Sequence, residues 1–200
     1  MKSGKRLFTT IGSGFLKGRK IALPSSATTR GTKSIVQGSF FDSVRDELKS
    51  KVFIEVFGGS GLMAITAVSE GAKEACAIEL DRAAFATLRE NVSNLNISNL
   101  KVYNGDTLAL TPQIASEISN LNGNLILYID PPFDIREGFA DIYERVWNMV
   151  GKIDPQKIFL VVIEHISSYA APEFKFELTK FKERKFGKTT LSFYKPQSVI

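Results

Sequence analysis

From Val52 onward, short apolar runs rich in β-branched and aromatic residues alternate with stretches of helical spacing. The runs are Val52–Val56, Ala75–Leu80, Leu100–Asn104, Leu125–Asp130 and Ile158–Glu164. Between them, Phe85, Leu88, Val92 and Leu95 recur at the spacing of an amphipathic helix, as do Phe139, Ile142, Val146 and Met149. Strands that are apolar almost throughout, separated by helices, predict a parallel sheet covered on both faces. The chain ends differently. Phe174–Phe181 and Thr189–Tyr194 flank a basic loop with Gly187, the pattern of an antiparallel hairpin. The prediction is an α/β, Rossmann-like, doubly wound sheet of seven strands, one of them antiparallel. Upstream, Val36, Phe40, Val44 and Leu48 recur every four residues and predict a helix. Residues 5–23 read as a small β-hairpin, with Arg6–Ile11 and Arg19–Leu23 on either side of Gly12-Ser13-Gly14. The expected division is an N-terminal arm over residues 1–34 and a main domain over residues 35–200.

Charge sharpens that division. Residues 1–33 hold eight Lys or Arg, and the first acid is Asp42, in a chain whose net charge is +5. A basic segment on a near-neutral body suggests an electrostatic arm for nucleic-acid phosphates, carried by Arg6, Lys17, Arg19, Lys20, Arg30 and Lys33. The alternative is a solvated tail. The single cysteine, Cys76, excludes an internal disulfide and a multi-cysteine zinc site, and no other metal-ligand cluster is visible. The longest apolar run, Ile158–Ile163, has the length of a strand and cannot span a bilayer. No signal-peptide pattern opens the chain, so a cytoplasmic, non-membrane protein is expected.

In doubly wound sheets, ligands bind outside the carboxyl ends of the strands. The first strand leads into Glu55-Val56-Phe57-Gly58-Gly59-Ser60-Gly61. The glycines permit a tight turn and close approach of a ligand. The preceding acid would repel a pyrophosphate but accept hydrogen bonds from an ammonium group, so the implied ligand is an amino acid joined to a nucleoside. The second strand ends at Glu79-Leu80-Asp81, and Glu79 lies where an acid holds ribose hydroxyls; Asp81 is placed to cap the next helix. The third ends at Asp106-Thr107, where Asp106 either accepts an adenine amine or caps a helix. Glu164, at the end of the fifth, either reaches the site or caps. His165, Cys76 and Trp147 read as structural.

The sharpest signal is Asp130-Pro131-Pro132-Phe133 after the fourth strand. Two prolines fix the backbone and remove two donors, leaving carbonyls as acceptors. Asp130 adds a carboxylate, and Phe133 a flat apolar face. Together they form a socket for a planar ring bearing an –NH2 group. Holding both N–H groups localises the nitrogen lone pair toward an electrophile.

These residues, in this order, resemble the class I methyltransferases that use S-adenosylmethionine and methylate amino groups. More narrowly, with Ile11–Ile21 and Arg30-Gly31-Thr32 included, the chain resembles the bacterial 16S ribosomal RNA guanine-N2 methyltransferases of the RsmD type. Glu55 stands where that family usually has Asp, and Gly59 where it has Ala. The resemblance implies that Glu55, Phe57, Gly58, Gly59, Ser60 and Gly61 hold the methionine part of the cofactor. It implies that Glu79 holds the ribose, Asp106 the adenine and Asp130 to Phe133 the guanine, with Leu80 and Thr107 also among the cofactor-binding residues. It further implies a monomer whose basic arm grips ribosomal RNA on a partly assembled small subunit. The main rival is an adenine-N6 methyltransferase, with nearly the same socket. A glutamine methyltransferase, a non-catalytic RNA-binding module and a nucleotide-dependent oxidoreductase fit less well; the last lacks its G-x-G-x-x-G loop.

Overall fold

A computed structural model describes residues 6–24, 31–118, 124–132 and 141–197, with residues 31–33 placed as helical backbone alone. Phe133, Arg30 and the side chain of Lys33 lie outside the described residues, as does Phe139.

The five apolar runs form β3 (Val52–Val56), β4 (Glu74–Glu79), β5 (Leu100–Asn104), β6 (Leu125–Ile129) and β7 (Ile158–Ile166). All pair in parallel. Helices α2 (Leu62–Ser69), α3 (Arg82–Asn94), α4 (Thr107–Glu117) and α5 (Ile142–Val150) connect them. Strands β3, β6 and β7 are buried on both faces, so every position along them favours an apolar side chain. One core packs α1 (Gly31–Leu48), α2 and α3 on one face of the sheet; the second packs α4 and α5 on the other. The four-residue stripe of α1, Val36, Phe40, Val44 and Leu48, is buried throughout. Phe40 meets Phe41, Phe53 and Tyr128 edge-on, at centroid separations of 4.9, 5.9 and 4.9 Å.

Among the described residues the sheet holds eight strands, in the order β5-β4-β3-β6-β7-β10-β9-β8, and not seven. The expected terminal hairpin divides because Phe176 and Glu177 both adopt left-handed backbone, at φ 51° and 62°. That tight turn separates β8 (Phe174–Lys175) from β9 (Leu178–Phe186), which then pairs with β10 (Thr189–Pro196). Two strands therefore run against the rest: β10, antiparallel to both β7 and β9, and β8, antiparallel to β9. The chain leaves β3 outward through β4 and β5, then returns to lay β6 on β3's other side. The switch point lies between β3 and β6, and their carboxyl ends frame the candidate site.

The N-terminal hairpin, β1 (Phe8–Thr10) and β2 (Lys20–Ala22), is separate from the sheet. Its Ile11, Leu16 and Ile21 are buried in the core that α1, α2 and α3 share. Its turn docks on the C-terminal end of α2: Phe15 donates its N–H to the Ser69 carbonyl (2.9 Å), and Leu16 donates to Ser69 Oγ (2.8 Å).

Candidate functional site

Four acids and one phenol meet at the carboxyl ends of β3, β4, β6 and β7. Glu55 lies beside Tyr128 in register, and Ile129, just before Asp130, lies beside Ile163, just before Glu164. Gly61 precedes α2 in left-handed backbone and offers no side-chain cap. The buried Glu55 carboxylate takes that role, accepting from the N–H groups of Ala64 (2.9 Å) and Met63 (3.4 Å). The positive end of the helix thus anchors an acid under the glycine loop. Phe57 and Gly59 also take positive φ, at 66° and 52°. A Cβ on Gly58 would lie 3.2 Å from the Ile78 carbonyl, and one on Gly61 2.3 Å from Leu88 Cδ1. The loop is therefore pressed against β4 and α3. Around Gly59 there is open space.

Glu79 links the two loops, accepting from Gly59 N–H (2.7 Å) and Asp81 N–H (2.8 Å). A carboxylate offers about four acceptor positions, so capacity remains for hydroxyls. Leu80 beside it is 61% exposed, an apolar surface next to a polar acceptor. Asp81 caps α3 through Ala84 N–H (2.8 Å), and Asp106 caps α4 through Leu108 N–H (3.0 Å). Thr107 and Ser60 are buried, so they shape the loops from within. Acids at successive strand ends, an exposed apolar side chain and open space over the glycine turn suit a nucleoside carrying an ammonium group.

Asp130 is half-buried after β6, and Pro131 is buried behind it. The fully buried Tyr128 donates its hydroxyl to Glu164 Oε2 at 2.6 Å. Burial, with Glu164 and Asp130 alongside, holds the phenol's pKa well above its usual value of 10, so it stays a donor. Glu164, which the sequence left between reaching the site and capping, is thus fixed in the wall beside Asp130. The pairing of this Tyr and Glu across β6 and β7 carries no mark in the sequence.

The family model described as conserved hypothetical protein 95 matches residues 9–195. The chain belongs to that family. Ribosomal RNA small subunit methyltransferase D of Escherichia coli K12 is 30% identical over 131 residues, covering 66% of this chain and 63% of that protein. The homologue from Buchnera aphidicola (Acyrthosiphon pisum) is 30% identical over 60% of this chain and 61% of its own length. The chain therefore spans less than two thirds of these curated relatives. The putative rRNA methyltransferase YlbH of Bacillus subtilis is 23% identical over 92% of this chain and 96% of its own. Among solved structures, the putative methyltransferase yhhF from Escherichia coli superposes with a TM-score of 0.73 at 22% identity, covering 94% of this chain and 97% of that one. SMU.776, a putative methyltransferase complexed with SAH, superposes at 0.68 with 10% identity, covering 98% of this chain and 57% of that one. These likenesses show a shared fold.

Within this family member, Asn91 ties the arm to the glycine loop, a role no motif announced. Its Nδ2 donates to the carbonyls of Ala22 and Ser60, each at 2.9 Å, and its Oδ1 accepts from Ala22 N–H at 2.8 Å. A buried Asn next to the apolar stripe of α3 was the one available signal. Asn104 similarly fastens the end of β4, donating to the carbonyls of Glu79 (2.8 Å) and Leu80 (3.1 Å). Of the basic arm, Arg6 pairs with Glu90 on α3, while Lys17, Arg19 and Lys20 are exposed. Among the described residues no helix is long and apolar enough to cross a membrane, and no cluster of metal ligands is found.

His165 turns away from the acids. Its Nε2 lies 2.9 Å from Ser192 Oγ and its Nδ1 3.0 Å from the Ile166 carbonyl, between Tyr143 and Tyr169. Burial lowers its pKa below the ordinary 6.5. As pH falls through about 6.5, the unfolded chain takes up a proton that the folded state resists, so stability is lost toward acid. The melting temperature of the wild type is expected to drop between pH 7 and pH 5, and that slope to flatten in His165→Gln. Equal slopes would show that His165 does not set it. Cys76 and Trp147 are buried; burial pushes the Cys76 thiol up to about 11, and Trp147 packs edge-on against Tyr194.

Proposed function

We propose that the protein transfers a methyl group from S-adenosylmethionine to the exocyclic N2 amine of a guanine in 16S ribosomal RNA. The observation that carries the reading is the placement of Asp130-Pro131-Pro132 at the switch point, beside a glycine loop underlain by Glu55 and bridged by Glu79. The names of the curated relatives support the substrate class. In this reading residues 1–34 form the RNA arm and residues 35–200 the transferase, acting as a cytoplasmic monomer on a partly assembled small subunit.

The cofactor supplies an electrophilic methyl on a sulfonium. Glu79 would accept hydrogen bonds from ribose hydroxyls with Leu80 beside it, Asp106 would border the adenine, and Glu55 with Phe57–Gly61 would hold the amino-acid end. Asp130 and the neighbouring carbonyls accept the two N–H groups of the guanine amine, with Phe133 against the ring. That holds the nitrogen lone pair toward the methyl group. Positive charge would grow on the nitrogen as it takes up the methyl group, and the Asp130 carboxylate would stabilise it. One amine proton would then pass to water, restoring a neutral base.

Methyl transfer from labelled S-adenosylmethionine to purified small subunits, naked 16S ribosomal RNA and duplex DNA, followed by digestion to nucleosides, tests this. Label in N2-methylguanosine is expected from an RNA substrate. Label in N6-methyladenine would keep the socket but change the base, and no label with cofactor bound would sink the reading.

A further inference from the structure

The candidate site is lined by carboxylates, and a polyanionic substrate must approach it. Glu55, Glu79, Asp106, Asp130 and Glu164 all lie at the carboxyl end of the sheet. Such a ring repels phosphates, so strand binding requires cations at its rim. The β9–β10 hairpin brings them there. Strand β7 overruns β6: Ile129, the last residue of β6, pairs with Ile163, whereas β7 continues to Ile166. β10 begins at that upper end, with Thr189 opposite Ile166. The turn Phe186-Gly187-Lys188 therefore stands above the end of β6, on the same edge as Asp130. Two strand spacings, about 10 Å, separate β10 from β6.

The turn is held in place. Ser167, at the end of β7, donates its N–H to the Lys188 carbonyl (2.9 Å) and its hydroxyl to the Gly187 carbonyl (3.0 Å). The cations of the hairpin then divide sharply. Lys175 pairs with Glu144, Lys180 with Glu173 and Glu183, Lys182 with Ser43 and Arg184 with Ser39, and Lys195 sits over the rings of Phe159 and Phe181. Lys185 and Lys188 are exposed, and among the described residues neither side chain makes an ion pair, hydrogen bond or ring contact. The two unengaged cations of the hairpin are the two beside its upper turn.

We infer that Lys185 and Lys188 form a phosphate-binding rim that grips the RNA strand next to the target guanine. This rests on the proposed RNA substrate. The rim stands on the β9–β10 flank, whereas the N-terminal arm packs over α2 and α3 on the other, its Ala22 tied to Ser60 through Asn91. A strand crossing the site is thus held from both sides, with the base to be modified between two basic surfaces.

The test is the double variant Lys185→Gln with Lys188→Gln, assayed on naked 16S ribosomal RNA across a salt series, with the Lys185→Arg, Lys188→Arg pair as control. Losing two phosphate contacts on a single strand should lower the slope of log affinity against log salt by about 1.4 and raise KM for RNA roughly twentyfold at 0.1 M salt. The Arg pair should restore both, and kcat and cofactor affinity should not change in either. Guanine methylation with KM and salt slope unaltered would overturn the rim and leave the function standing; the lysines would then serve only to keep an exposed sheet edge from pairing. A wild type that binds cofactor but labels neither naked RNA nor purified small subunits would overturn both.

Discussion

Replacing Asp130 with alanine is expected to lower kcat for methyl transfer by roughly a hundredfold to a thousandfold, the cost of removing one preorganised charge-stabilising group. Affinity for S-adenosylmethionine should stay within about twofold, because the acids assigned to the cofactor, Glu55 and Glu79, are fixed by other partners. Glu55 is held by the first turn of α2 and Glu79 by the loop N–H groups of Gly59 and Asp81. Asp130→Asn keeps an acceptor for the amine but loses the charge that opposes the developing ammonium. It should therefore fall between wild type and alanine. Single-turnover methyl transfer separates the chemical step, and calorimetric titration with the cofactor gives its affinity. Cofactor affinity collapsing together with turnover would move Asp130 from the substrate socket to the cofactor pocket.

The strand ends could be read from sequence because the period of the pattern changes there. A buried parallel strand is apolar at every position, so the first acid or glycine after it marks where the sheet ends and a ligand can enter. Glu55, Glu79 and Asp130 were found in that way, and the structure brings them to one edge. What escaped was set by contacts between distant segments. That Glu55 caps α2 depends on Gly61 having no side chain to do so, and that Tyr128 pairs with Glu164 depends on the register of β6 with β7. Helix α4 carries Pro112 in its interior, which reads against a helix, yet Asp106 caps it and Ile114 and Ala115 are buried in the second core. The eighth strand was missed because Phe176 and Glu177 are poor markers of left-handed backbone, unlike the glycines and asparagines that usually supply such turns.

Gly14 shows the same division between a visible residue and an invisible reason. The sequence marks it as part of a hairpin turn; the structure shows why nothing larger fits. It adopts φ +75°, and a Cβ there would lie 2.0 Å from the Ser69 carbonyl oxygen and 2.4 Å from its Oγ. The obstacle is Ser69 at the end of α2, whose carbonyl accepts from Phe15 N–H and whose hydroxyl accepts from Leu16 N–H and donates to the Ser13 carbonyl (2.7 Å). Gly14→Ala must therefore lift the turn. Left-handed backbone costs about 1–2 kcal/mol for an L-residue, and two lost hydrogen bonds add about 1 kcal/mol each. A total of roughly 3–4 kcal/mol corresponds to a fall in Tm of about 10 °C for a chain of this length. Trypsin should cut faster at the exposed Lys17, Arg19 and Lys20, and KM for RNA should rise as the basic arm loosens. Gly12→Ala is the control, since nothing lies within 4 Å of a Cβ there; it should be close to neutral. Equal Tm and equal trypsin resistance in the two variants would mean that Ser69 yields at little cost, and that the hairpin is held by Ile11, Leu16 and Ile21 in the core and not by its turn.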